Sequence, residues 1–213
     1  MVELEARVDP EINGTCVAIA DRLVRMELTG VRDVVPTYHT VAVHIDPLRV
    51  DRSRLVSVLE QLATSHQSQQ SAGARHEIPV CYGEEFGPDL ADVAQFGNCA
   101  EDEVVRLHTA PTYRVYMMGF LPGFAYLGSV SERIRMGRLE MPRLKVWAGS
   151  VAIAGQQTGV YPQDAPGGWR IIGRTWIRPF DTTRSNPWLF QAGDTVRFVP
   201  VSRAAYVGAT QGN

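Results

Sequence analysis

Ile12, Cys16, Ile19, Leu23 and Met26 recur at intervals of three and four residues, which is the period of one apolar helix face. Asp9 ahead of them suits the N-cap, Pro10 suits the first helical position, and Gly30 suits the stop. VRDVV (31–35) and TVAVHI (40–45) are short β-branched runs of strand type. Asp46-Pro47 predicts a turn, and Asp51 predicts the cap of a second helix whose Leu55, Val58, Leu59 and Leu62 share a face. Two amphipathic helices around short strands predict a small two-layer α+β domain over residues 1–70. Only VELEA is available for a strand ahead of the first helix. The polar stretch SHQSQQSAGAR, residues 65–75, reads as a loop or linker at a domain boundary.

Residues 76–213 have a different pattern. HEIPVCY reads as a strand, and Pro88 to Gln95 and Glu101 to His108 read as short helices. Asn98 with Glu101 resembles a capping box, with Asn in place of Ser or Thr. Beyond them, TYRVYMM, KVWA, SVAIAG, TGVYP, WRIIGRTW and, after the turn AGD, TVRFVPV are short strands broken by Gly and Pro. Many short strands with such turns predict a mostly-β domain, a barrel or a sandwich.

The 213 residues are 45% hydrophobic and 21% charged, ordinary values for a chain with a sizeable core. A net charge of −2 argues against a generally basic nucleic-acid binder. No apolar run approaches the roughly 20 residues of a membrane helix. The acidic start carries no apolar signal segment. Cys16, Cys81 and Cys99 are odd in number and widely spaced, which disfavours a disulfide framework or a zinc ribbon; reduced thiols and a cytoplasmic location are expected. Charge is uneven: residues 76–130 hold 2 basic and 8 acidic groups, whereas residues 131–213 hold 11 and 5. Lys145 is the single lysine, so bidentate arginine forks are the means at hand for holding carboxylate or phosphate.

Several common chemistries are missing. Lys145 has no preceding glycine loop, which excludes a Walker-type phosphate site. No G-x-G-x-x-G joins a strand to a helix, no G-x-S-x-G elbow occurs, and His76-Glu77 is not followed by a second zinc-ligating histidine. Three segments are instead rich in special residues. Met118–Gly128 packs three glycines, a proline and three aromatics beyond Met118, a stiff loop able to present backbone N–H groups or simply to make a tight turn. Ala154–Pro162 sets Gln156, Gln157, Thr158 and Tyr161 between glycines, donors and acceptors suited to a planar amide or carboxylate, or to a solvated hairpin. Ala165–Thr175 sets Trp169 beside Gly167 and Gly168, a pocket wall or a core residue, with Arg170 and Arg174 following. His108 lies at a predicted helix end, where the helix dipole favours its charged form; proton transfer is the alternative role.

Together these segments resemble the family that contains the B subunit of 5-oxoprolinase, the sporulation kinase A inhibitor and allophanate hydrolase subunit 1. The likeness is carried by VRDVVPTYHTVAVHIDP (31–47), HEIPVCYGEEFGPDL (76–90), LHTAPTYRVYMMGFLPGFAYLG (107–128), MPRLKVWAGSVAIAGQQTGVYPQDAPGGWRIIGRT (141–175) and AGDTVRFVPV (192–201). The chain departs from the family's pattern at Gly137, Trp147 and Trp176, where proline is frequent.

The resemblance implies a cyclophilin-like barrel behind an α+β domain. It also implies a hydrolase subunit, inactive alone, that works with C and A subunits to open 5-oxo-L-proline to L-glutamate with ATP and its Mg2+. His108, Gln157 and Arg174 are then the catalytic candidates. Arg143, Gly119, Phe120, Pro122, Gly123, Phe124, Tyr126, Gln156, Thr158, Tyr161, Gly167, Gly168 and Trp169 are the binding candidates. Trp169, Gln157 and Arg174 are expected to share one hollow. The resemblance leaves two other readings open: an inhibitor of a sensor histidine kinase, and a subunit acting on a urea-derived amide beside a biotin-carrying partner.

Overall fold

Asp9 begins the first helix as its sequence predicts, its carboxylate accepting from the N–H groups of Glu11 (2.8 Å) and Ile12 (3.1 Å). The computed structural model describes residues 1–64 and 73–211, so most of the expected 65–75 loop lies outside the described residues. The chain divides into two units, Met1–Gly73 and Ala74–Asn213.

In the first unit, β1 (Val2–Glu3), α1 (Pro10–Arg25), β2 (Val31–Pro36), β3 (Thr40–Ile45) and α2 (Arg52–Thr64) follow one another. The sheet order β1-β3-β2 is antiparallel throughout, and α1 carries the chain from one outer strand to the other. Cys16, Ile19, Ala20 and Leu23 of α1 and Leu55 and Leu62 of α2 bury their sides against Val34 and Val41. Burial pushes the Cys16 thiol up to about 11, which makes it inert at neutral pH. Asp51 caps α2 through the Arg54 N–H (3.0 Å). One expectation fails at the end of α1. The helix stops at Arg25, not at Gly30, and Met26 is an exposed C-cap. Leu28 explains the early stop: a continued helix would carry it off the apolar face, whereas in the observed turn it packs on the core.

In the second unit, β4 (Arg75–Tyr82), α3 (Leu90–Phe96), α4 (Glu101–Thr109), β5 (Tyr113–Met118) and β6 (Ala125–Gly128) come first. Then follow β7 (Arg143–Val146), β8 (Ser150–Ala154), β9 (Gln157–Val160), β10 (Ala165–Gly167), β11 (Arg170–Arg174), β12 (Thr195–Pro200) and α5 (Arg203–Gln211). Seven strands close a barrel in the order β11-β4-β12-β5-β6-β9-β8. Its parallel pairing joins β4 to β12. β7 and β10 form a separate two-stranded ribbon. The capping box does not form: Ala100 is the N-cap of α4, and Asn98, at φ 48°, donates its N–H to Gln95 O and closes α3. Asn tolerates that left-handed C-terminal position, which explains its presence there. α3 itself starts at Leu90, two residues later than expected.

The alternation of strand side chains sorts this unit into two cores. Val151 and Ile153 of β8 and Val160 of β9 join Val80, Val115, Leu127 and Phe198 in the main core. Ala152 and Ala154, on the opposite face of β8, belong to a second cluster with Phe124, Val146, Tyr161, Trp169 and Ile171.

Candidate functional site

The main core contains a chain of neutral polar groups. Thr158 Oγ1 donates to Ala152 O (2.9 Å), so its hydroxyl must accept from His108 Nε2–H (2.8 Å). His108 Nδ1 then accepts from the Tyr82 hydroxyl (2.8 Å). The ring stacks on Phe198 with centroids 4.6 Å apart. Burial pushes the His108 pKa down to about 3, so the imidazole is neutral at ordinary pH. The charged, dipole-stabilised ring expected at this helix end is therefore not what forms. His108 and Thr158 are fully buried with their hydrogen-bonding capacity spent on each other and their neighbours, and neither faces solvent.

The second cluster carries most of the other candidates. Phe124 sits at its centre, edge-to-face with Tyr126 (5.0 Å), Trp169 (5.3 Å) and Tyr161 (5.4 Å). Small residues make its seat: a Cβ on Gly159 would lie 2.9 Å from Ala125 O and 3.1 Å from the Phe124 ring. The turn from Gly119 through Pro122 to Gly123 leads into Phe124 and is closed by bonds from Gly119 N–H to Phe124 O, Leu121 N–H to Gly119 O, and Phe124 N–H to Leu121 O. Those N–H groups are spent internally, leaving only Phe120 and Gly123 outside the set. Gly123 has φ 84°, and a side chain there would lie 2.6 Å from Phe180 Cβ. Phe120 holds φ 68°, a strained value for a bulky residue, and keeps its ring 59% exposed over Phe124 and Tyr161.

Alternation puts Gln157 on the same outer face as Gly159 and Tyr161, paired with Gly128 of β6, diagonal to Tyr126. Gln156 occupies the exposed tip of the β8–β9 turn, its carbonyl accepting from Val130 N–H (3.0 Å). Trp169 is buried in the cluster, its ring centre 5.3 Å from that of Phe124 and 5.9 Å from that of Tyr126. Gly167 pairs with Arg143 in the ribbon, and Gly168 O accepts from Leu139 N–H (2.7 Å). Burial raises the pKa values of Tyr126 and Tyr161, and the nearby Arg138 guanidinium partly offsets this. Arg138 is exposed and closes no ion pair among the described residues.

The expected anion-binding arginines separate. Arg143 closes bidentately on the buried Asp89 (2.7 and 2.9 Å), whose Oδ2 also accepts from Ile171 N–H (2.6 Å). Its fork is thus spent on tying the ribbon to the barrel. Arg174 Nε donates to Ala148 O (3.0 Å), and its guanidinium lies 6.0 Å from the Trp147 ring centre. Beside it a cleft of about 300 Å3 is lined by Gly149, Pro162, Trp176, Arg178, Tyr206 and Thr210, among others; neither Trp169 nor Gln157 lines it. Among the described residues, the cleft beside Arg174 does not take in Trp169 or Gln157, so the expected joining of these three in one hollow is not seen there. Sequence reasoning passed over Asp89 and Arg138. Asp89 lies 54 positions from its partner, and Arg138 falls in a segment without periodicity.

Residues 1–190 match the family described as carboxyltransferase domain, subdomain C and D. The chain is 38% identical to the 5-oxoprolinase B subunit of Bacillus subtilis, with 97% of this chain and 90% of that protein covered. It is 47% identical to the 5-oxoprolinase B subunit of Haemophilus influenzae over 70% of each. The crystal structure of TTHA0988 superposes with a TM-score of 0.85 at 37% identity; 94% of this chain is covered but only 39% of that one.

Proposed function

The chain belongs to the carboxyltransferase subdomain C and D family, and from that premise we propose that it is the B component of an ATP-dependent 5-oxoprolinase. In this reading it works with C and A components to open 5-oxo-L-proline to L-glutamate, and its closed barrel is of the cyclophilin-like kind. The observation that carries the reading is the likeness to 5-oxoprolinase B components along nearly their whole length. Phe124, Tyr161 and Trp169, one from each of the three motif segments, meet in one aromatic cluster, which supports reading them as parts of a single region.

The lactam of 5-oxoproline is an unactivated amide beside a carboxylate. The exposed rim of the aromatic cluster offers groups suited to both. Phe120 and Tyr126 give its flat ring an apolar surface. The Gln157 amide can donate to the lactam oxygen and accept from its N–H. The Arg138 guanidinium matches the carboxylate, and Phe120 and Gly123 bring the N–H groups left over from the turn. ATP would supply the driving force: its γ-phosphoryl group passes to the amide oxygen with release of ADP, and water then adds to the activated carbon, so that phosphate leaves and the ring C–N bond opens to glutamate. On this chain the arginines placed to meet phosphate are Arg138 at the rim and Arg174 beside the cleft. No three acidic, histidine or cysteine side chains converge among the described residues, so Mg2+ would be held through the phosphates and the other components.

Such a rim is half a site, and the isolated chain is expected to be inactive. Mixing it with purified C and A components and ATP, then assaying glutamate, tests the reading. Turnover that requires every component supports it, and robust turnover by this chain alone overturns it. Gln157→Leu and Arg138→Ala should each lower kcat/KM of the assembled enzyme by about 10- to 100-fold.

A further inference from the structure

The cleft of about 300 Å3 beside Arg174 has donors to spare and its acceptors engaged. Tyr206 of α5 lines it, 9% exposed, with its ring packed on Phe86 (4.6 Å) and edge-on to Trp176 (5.9 Å). The Tyr206 hydroxyl and the Trp176 indole N–H close no hydrogen bond among the described residues. No buried side-chain oxygen or nitrogen there lacks a partner, so that hydroxyl reaches open space. Thr175, 2% exposed, accepts from Ile177 N–H (3.1 Å) and keeps its own hydroxyl proton to give. The backbone acceptors are taken: Ala148 O by Arg174 Nε (3.0 Å), Gly149 O by Thr175 N–H (2.9 Å), and Tyr206 O by the Thr210 hydroxyl (3.1 Å).

The charges follow the same pattern. Asp164 is held by Lys145 (2.8 Å) and Ala148 N–H (2.8 Å), with Arg174 near it. Asp181 is held by the Thr183 N–H (3.0 Å) and hydroxyl (2.7 Å), with Arg184 at 3.8 Å. Arg178 lines the cleft, is exposed, and closes no ion pair among the described residues. A cleft with aromatic walls, unspent donors and a guanidinium at its mouth suits a flat ligand rich in acceptors and carrying negative charge.

Two segments run from this cleft to the aromatic cluster. Pro162 lines the cleft, and Tyr161 before it belongs to the cluster. Arg178 lines the cleft, and Phe180, about 7 Å of chain further on, sits against Gly123, whose N–H is one of the two left over from the turn.

We propose that the cleft is a nucleotide site, with the base against Trp176 and Tyr206 and the phosphates running out past Arg178 toward the aromatic rim. This deepens the reading of the chain as the B component of an ATP-dependent enzyme, and rests on it. The volume is at the low end for a small-molecule pocket, which suits a base and its sugar and leaves the phosphates at the exposed mouth. The phosphoryl group to be transferred then faces the rim, where the lactam sits.

The test compares Arg178→Ala and Tyr206→Phe with wild type in the assembled enzyme. Both should keep the wild-type melting temperature, since one side chain is exposed and the other loses only a hydroxyl. Arg178→Ala should raise the KM for ATP about 10-fold or more and Tyr206→Phe about 3- to 10-fold, with the KM for 5-oxoproline unchanged. Gln157→Leu should do the reverse. If the wild-type enzyme turns over and neither cleft variant moves the KM for ATP, the nucleotide site is wrong and the functional reading stands. If the wild-type enzyme does not turn over, the functional reading falls, and calorimetric titration of the full chain with ATP and Mg2+ decides the cleft. Binding that Arg178→Ala weakens about 10-fold upholds it, and no binding overturns it. Inorganic tripolyphosphate that binds as tightly as ATP removes the base from Trp176 and also overturns the proposal.

Discussion

Both faces of β8 and β9 carry polar or aromatic residues, yet the two sides use them differently. Inward, Thr158 enters a closed run from Tyr82 through His108 to Ala152 O, in which every donor has an acceptor. Outward, Gln157 and Tyr161 belong to a face whose edge holds the exposed Phe120 and Arg138, an arginine that closes no ion pair among the described residues. Groups that satisfy one another add specificity to a fold, whereas groups left at an edge are available for recognition. One strand serves both purposes because its side chains alternate.

The contrast between the faces should collapse most severely where the outer one is tied down. Asp89→Ala would strand the Arg143 guanidinium and the Ile171 N–H together, and should destabilise the protein by about 3 kcal/mol in urea unfolding. Acid should expose the inner face next. His108 takes up a proton near pH 6.5 when unfolded but only near 3 when folded, so between those values the unfolded chain binds more protons and stability falls as pH falls. By pH 5 the loss from this ring should reach about 2 kcal/mol, and a His108→Gln variant should lose that part of the pH dependence. Thr158→Val keeps the volume but leaves His108 Nε2–H without an acceptor; a loss of about 1 to 2 kcal/mol is expected, with binding of the C component unchanged. The smallest effect has the opposite sign. Phe120→Gly relieves a left-handed φ and should raise stability by about 1 kcal/mol, while turnover of the assembled enzyme drops.

Much of this was legible in the chain. Asp9-Pro10 and Asp51 announced their helices through local chemistry that needs no distant partner. The β-branched strands of the barrel read clearly because each is buried on at least one face. β6 did not, since Ala125 and Gly128 have little strand propensity and the pairing is imposed by β5 and β9. β10 and α5 also escaped notice, the former being Ala-Pro-Gly and the latter a mostly small-residue stretch. His108 was legible as a helix end and illegible as a core residue, because its burial is decided by Tyr82, Thr158 and Phe198, which arrive from three other strands. The bulge in the β7–β10 ribbon, where Leu144 and Lys145 together oppose Pro166, is encoded by no local pattern.

The parallel pairing of β4 with β12 has a consequence for how the protein is made. The second unit's first strand finds its longest pairing in its last, with Arg75 opposite Thr195 and Val80 opposite Pro200, and its other neighbour, β11, is nearly as late in the chain. On the ribosome, β4 therefore waits roughly ten seconds for that neighbour at ordinary rates of translation. Throughout that interval Ile78 and Val80 lack the cover of Phe198, and the nascent chain shows sticky strand edges to whatever chaperones and neighbours surround it.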